Sequence, residues 1–174
     1  MATTYVQIGS TVTVGVLGAT DITFSSIPAT YTDLKVVISS RSTITGGPAE
    51  ANRISFNGDT TNGNYTQKRL LGSGTAASSQ SQTGRETFFS TGVPATANTF
   101  ANSEIYIPNY ASANAKSASI DTVSENNATE AYAALIAILW SGTAAITSIA
   151  FTPETPATSF VQYTTATLYG IKNS

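Results

Sequence analysis

Residues 130–140 read Glu-Ala-Tyr-Ala-Ala-Leu-Ile-Ala-Ile-Leu-Trp, and the fold class turns on whether this run is helix or strand. Ala, Leu and Glu favour a helix, and Thr129 stands where an N-cap would. A period-two reading instead places Tyr132, Ala134, Ile136, Ile138 and Trp140 on one face. Ala133, Leu135, Ala137 and Leu139 then occupy the other. Both faces are apolar, so periodicity alone does not separate the alternatives. Context favours a strand, because nearly everything around the run has strand chemistry. A sandwich strand buries one face only, so the second dry face calls for a subunit neighbour or a covering loop.

Working outward, the chain is a succession of short β-prone segments separated by turn residues. Tyr5–Ile8 and Val12–Val16 alternate apolar with small or polar residues, and Asp21–Phe24 follows a break at Gly18-Ala19-Thr20. Asp33–Ser39 is β-branched, of strand length and opened by Pro28 and Asp33. Asn52–Phe56 puts Ile54 and Phe56 on one face and ends at Asn57-Gly58, a turn pair that tolerates positive φ. Further strands are expected at Glu104–Ile107, Lys116–Val123, Ala144–Phe151 and Phe160–Ile171. Residues 72–83 (Gly-Ser-Gly-Thr-Ala-Ala-Ser-Ser-Gln-Ser-Gln-Thr) offer no core anchor, and residues 42–51 carry Gly46-Gly47-Pro48. Both are expected to be mobile, solvent-facing loops and candidate contact regions. The expected fold is an all-β, antiparallel, jelly-roll-like β-sandwich. At 174 residues, with neither linker nor repeat, residues 1–174 are expected to form one domain.

Composition narrows the chemistry. Cys and His are absent and charged residues make up 10% of the chain, which removes the usual general bases, thiol nucleophiles and zinc ligands. A net charge of −2 without a basic stripe argues against nucleic acid. The longest apolar run is too short to span a bilayer. The N-terminal residues lack a charged start followed by an apolar core, so no signal peptide is expected. The sequons at Asn64 and Asn127 are then read as chance. Asp121, Glu125 and Glu130 cluster in sequence, and two of the three would be needed as the acid pair of glycoside chemistry. They read better as a solvated turn, so no catalytic residue is assigned. Asn57–Asn64 is rich in oxygen ligands, but its spacing suits Asx turns better than calcium, and neither metal nor cofactor is expected. Gly72-Ser73-Gly74 lacks the Lys-Ser/Thr of a phosphate loop. The aromatics, among them Tyr65, Tyr106 and Tyr163, could stack on sugars but read first as core or interface anchors. Arg41, Arg53, Lys68, Arg69 and Arg85 read as ordinary solvated charge, with pairing between neighbouring copies as the sharper alternative.

The blocks Phe24-Ser25-Ser26-Ile27-Pro28-Ala29-Thr30-Tyr31-Thr32-Asp33-Leu34 and Ile54-Ser55-Phe56-Asn57-Gly58-Asp59 with Asn64-Tyr65, the intervening Arg41-Ser42, and Ala166-Thr167-Leu168-Tyr169-Gly170-Ile171 together resemble small virion structural proteins of tailed bacteriophages. The resemblance carries no catalytic residues. It implies a β-sandwich displayed on the particle, as a capsid cement or as a tail or fibre module. The expectation that follows is a non-enzymatic decoration protein of the virion, assembled in the host cytoplasm. It would bind the major capsid protein or other virion proteins as a homo-oligomer, with a trimer favoured. A receptor- or glycan-binding tail module is the alternative. Candidate contacts are the segment Ala2–Ile8, represented by Tyr5 and Ile8, together with Leu135, Leu139 and Trp140.

Overall fold

The computed structural model describes residues 4–127 and 131–172. They form thirteen strands: β1 (Thr4–Gln7), β2 (Val12–Thr13), β3 (Ile22–Phe24), β4 (Asp33–Ser40), β5 (Ala49–Phe56), β6 (Tyr65–Gly72), β7 (Ala77–Thr83), β8 (Glu86–Thr91), β9 (Ala101–Ile107), β10 (Lys116–Val123), β11 (Ala133–Trp140), β12 (Ile149–Pro153) and β13 (Thr165–Lys172). A nine-stranded sheet runs β1-β13-β4-β9-β10-β11-β6-β7, with β2 also on β13, and packs on a four-stranded sheet, β3-β12-β5-β8. Every pairing between these strands is antiparallel. The molecule is an all-β sandwich.

Alternation explains the layers. In β4, Leu34, Val36 and Ile38 point inward and are fully buried, while Lys35, Val37 and Ser39 face out. The smaller sheet returns Ile22, Phe24, Ile54, Phe56, Phe88, Ile149 and Phe151 to the same core. Phe88 meets Phe151 edge to face, 5.4 Å between centroids.

The decisive run is a strand. Ala134, Ile136, Ile138 and Trp140 of β11 are buried, and Ala133, Leu135, Ala137 and Leu139 are exposed. Each β11 residue is registered against both β10 and β6. A helix would leave the facing polar backbone edges of those two strands without partners, so pairing decides what propensity leaves open. The suggested N-cap Thr129 lies outside the described residues.

Residues 72–83 differ from the loop expected. Ser73 to Ala76 is a hairpin turn, with the Ser73 N–H donating to the Ala76 carbonyl and Gly74 at φ +86°, and β7 follows. Its Ser and Gln side chains anchor no core, but a strand needs only a backbone partner, which β6 provides. Residues 42–51 are also tied down. Ala49–Ala51 belong to β5, the Ser42 N–H donates to Thr91 O at 2.8 Å, the Val93 N–H to Ile44 O at 2.8 Å and the Gly92 N–H to Pro48 O at 2.8 Å. The last strand is shorter than expected: Phe160 makes isolated bridges to Ala19 and Ser42, and Tyr163 has φ 71°.

Candidate functional site

Apolar side chains are left in water at Val16 and Leu17 after β2, and on the outer face of the large sheet. Leu70 is 61% exposed, Leu135 59% and Leu139 42%. Register aligns them with charges. One row crosses the sheet as Glu104, Asp121, Leu135, Leu70 and Ser79 on β9, β10, β11, β6 and β7. The next runs Lys35, Tyr106, Ser119, Ala137, Lys68 and Ser81 on β4, β9, β10, β11, β6 and β7. Residues from both sheet edges, Tyr5 on β1 and Ser79 and Ser81 on β7, line a single trough of about 830 Å³. The sheet therefore curls around this face, with β10 and β11 as the floor.

The trough is mainly apolar with placed charges. Lys35 Nζ lies 2.6 Å from a Glu104 carboxylate oxygen and 5.9 Å from the Tyr5 ring centroid. The Tyr106 hydroxyl donates to Asp33 Oδ2 at 2.8 Å, and that bond, ahead of desolvation, pushes the phenol above its ordinary value. Asp121 lies directly across from Glu104, and among the described residues its carboxylate makes no hydrogen bond or ion pair. Like charges directly opposed across strands disfavour each other, and Lys35, Lys68 and Arg69 line the same trough as these two carboxylates. Lys68, on the opposite wall, donates to Ser81 Oγ.

The sequence candidates divide. Tyr5, 55% exposed, lines one wall, and Leu135 lies on the trough floor. Leu139 continues the ridge along β11, beside Thr66 and Ser117. Ile8 is half-buried against the core. Trp140 does not share this surface. It is 4% exposed and faces inward, because it alternates with Leu139. Residues 2 and 3 of the N-terminal contact segment lie outside the described residues.

Trp140 instead completes a clasp with the Asx-rich turn. Asn57 (φ 53°) and Gly58 (φ 73°) make a tight turn closed by the Asp59 N–H donating to Phe56 O at 2.9 Å. The Asp59 carboxylate accepts from Trp140 Nε1 at 2.8 Å, Asn64 Nδ2 at 2.9 Å and the Thr61 N–H at 3.0 Å. These bonds, Trp140 first, hold its pKa at about 2. The Tyr65 hydroxyl accepts from the Phe56 N–H and donates to Asp59 O, both at 3.0 Å, and burial pushes that phenol to about 12. Phe56, Tyr65 and Trp140 pack with ring centroids within 6.4 Å of one another, Tyr65 and Trp140 stacked and Phe56 tilted against both. The oxygens weighed as calcium ligands are thus engaged in turn geometry.

Of the three acids clustered in sequence, two lie within the described residues. Asp121 is on the trough floor, Glu125 accepts from the Asn127 N–H at 2.7 Å beyond the end of β10, and Glu130 and Thr129 of the second sequon lie outside the described residues. Glu104, the carboxylate that does face Asp121, was missed because opposition across strands depends on neighbour order. Alternation within Glu104–Ile107 and Lys116–Val123 shows only that each faces out.

The arginines also differ from solvated charge. Arg41 donates to the carbonyls of Thr96 and Thr99 at 2.9 Å and of Val93 and Ala95 at 3.3 Å. Buried Arg85 donates to Asn62 Oδ1 and Ile54 O at 3.2 Å. Arg53 lies 3.8 Å from Glu86 and 3.5 Å from Glu154. These three serve the chain's own loops and strands, and Arg69 lies 5.7 Å over the Phe89 ring, which leaves Lys68 as the cation of that set registered with the outward-facing Ala137.

Comparisons with protein-family models, curated proteins and solved structures returned no match.

Proposed function

We propose that this chain is a non-enzymatic structural protein of a phage virion, a capsid decoration or cement protein that grips neighbouring proteins with the trough face of its large sheet. The observation that carries the reading is the exposed ridge of Leu70, Leu135 and Leu139 beside Asp121, whose carboxylate makes no direct ion pair. Apolar area and an unpaired charge are the elements of a protein contact, one supplying affinity and the other register. Burial of this face across junctions of the shell stabilises the assembled state over its parts. The jelly-roll description belongs to the same proposal. It is supported by the alternate crossing of β3, β4, β5 and β6 between sheets and again of β11, β12 and β13, with β9-β10-β11 as an inserted meander.

The test is co-sedimentation of purified protein with expanded capsids, with the capsid melting temperature as a second readout. The wild type binds and raises the melting temperature. Leu135→Lys with Leu139→Lys abolishes both without altering the fold. Absence of binding by the wild type overturns the proposal.

A second reading is glycan binding by a tail or fibre module, favoured by Tyr5, Tyr106, Glu104 and Asp121 facing one trough. Specific hits on a glycan array that vanish in Tyr106→Ala and Asp121→Asn, with no capsid binding, would establish it.

A further inference from the structure

The sandwich has four sheet edges, and they are not treated alike. The edge at β1 is four residues long, and β2 beside it is two, with Gly9 at φ 69° between them. β3 is three residues long. β8 is buried along most of its length and carries a register shift opposite Ala51 and Arg53. Short strands, bulges and burial are the ways natural sheets prevent edge-to-edge pairing. β7 uses none of them. It is seven residues long, exposed throughout except for half-buried Gln82, and in unbroken register with β6 from Ala77 to Thr83. It contains no Pro and no charge, and no charged residue occurs from Ser73 to Gly84.

Ladder parity shows which backbone groups this edge presents. The Ser73 N–H bonds Ala76 O at one end of the hairpin, and the Gly84 N–H bonds Tyr65 O at the other. Antiparallel bonding alternates residue by residue. Ser78, Gln80 and Gln82 therefore bond to β6, while Ala77, Ser79, Ser81 and Thr83 turn their N–H and C=O groups outward. No described strand pairs with that side. Side chains do not obstruct it, since Lys68 holds Ser81 and Arg69 holds Gln80 back against β6.

We propose that β7 is an assembly edge that pairs antiparallel with β7 of a second copy of this chain across a two-fold axis. Centring the axis at Gln80 sets Ser79 opposite Ser81 of the other copy and Ala77 opposite Thr83. All four outward-facing residues of each chain then lie in bonded pairs, with about eight inter-chain hydrogen bonds. The strand is its own complement. With no charge, it neither repels its copy nor offers an acidic or basic partner anything to pair with. Ser and Gln across from Ser and Gln extend the polar surface without leaving an apolar one. A three-fold ring needs contact between unlike patches, whereas this edge supplies like with like. The pairing does not depend on the virion reading, and a protein that fails to bind capsids leaves it intact.

Sedimentation velocity across a wide concentration range tests it, with amide hydrogen exchange alongside. The wild type is expected to dimerise. Ser79→Pro with Ser81→Pro removes two outward N–H groups and no backbone bond to β6, at the cost of the one side-chain bond from Lys68 to Ser81. It is expected to weaken the dimer at least about tenfold while keeping the strand signal in circular dichroism. Leu135→Lys, on the trough floor, leaves the dimer unchanged. In the unmutated protein, the amides of Ala77, Ser79, Ser81 and Thr83 become protected as concentration rises, and those of Ser78, Gln80 and Gln82 are protected throughout. A wild type that stays monomeric, a trimer mass, or concentration-independent exchange at Ser79 and Ser81 overturns the proposal, whether or not the proline variant folds.

Discussion

Replacing Asp59 by asparagine removes the charge and turns one of its two accepting oxygens into a donor, the same two changes that protonation makes, so its effect across pH isolates what the ionised carboxylate does. In the folded chain the group is held at about 2, against an ordinary value of 3.8. Taken at face value that difference is worth about 2.5 kcal/mol at neutral pH, but the carboxylate is partly open to solvent and screening reduces it to about 1 kcal/mol. Because the folded value is the lower one, the stabilisation is complete well above 3.8. It falls to about half by pH 3 and is nearly gone at pH 2. The side-chain amide introduced by Asp59→Asn would still offer an oxygen to the Trp140 indole N–H, so the packing of Phe56, Tyr65 and Trp140 persists. The expected result, by differential scanning calorimetry from pH 7 to pH 2, is a deficit of about 2–4 °C at neutral pH that closes as the wild type becomes protonated. Asp59→Ala also leaves the indole N–H without its acceptor, adding about 1–3 kcal/mol, and that added deficit does not close. A deficit in Asp59→Asn of equal size at pH 7 and pH 2 would refute the assignment of the low pKa to this clasp.

Tyr65→Phe leaves the Phe56 N–H unpaired in the core and should cost about 1–3 kcal/mol in urea unfolding. In the wild type the raised phenol pKa means stability is complete below pH 10 and declines as pH rises toward 12, so ultraviolet titration should show this tyrosine ionising last or only on unfolding. Arg41→Lys is not conservative, because one ammonium cannot span the carbonyls from Val93 to Thr99. Hydrogen exchange in residues 93–99 should speed up at least about tenfold while β4 stays protected. Leu135→Lys should shift stability by less than about 0.5 kcal/mol, whereas the adjacent Ile136→Lys should cost more than about 4 kcal/mol. Equal costs would refute the strand register of β11.

The β character, the shared face of Ile54 and Phe56, the Asn57-Gly58 turn and the alternation along β11 were all readable from residue order. Each rests on a local rule: side chains alternate with period two, and only certain residues accept positive φ. The site was legible in part. Leu135 and Leu139 were readable as a spare apolar face. That Trp140 belongs to the opposite face followed from the same alternation, and its partner Asp59, 81 residues away, did not. It took the folded chain to reveal that Glu104 faces Asp121, that Tyr5 and Ser81 share a trough, that Arg41 grips a distant loop and that residues 77–83 form a strand. Strand order is set by pairing between distant segments, and a backbone hydrogen bond is indifferent to the side chains that sequence reveals. A Ser/Gln segment with no core residue therefore reads as a loop until β6 presents the edge that makes it a strand.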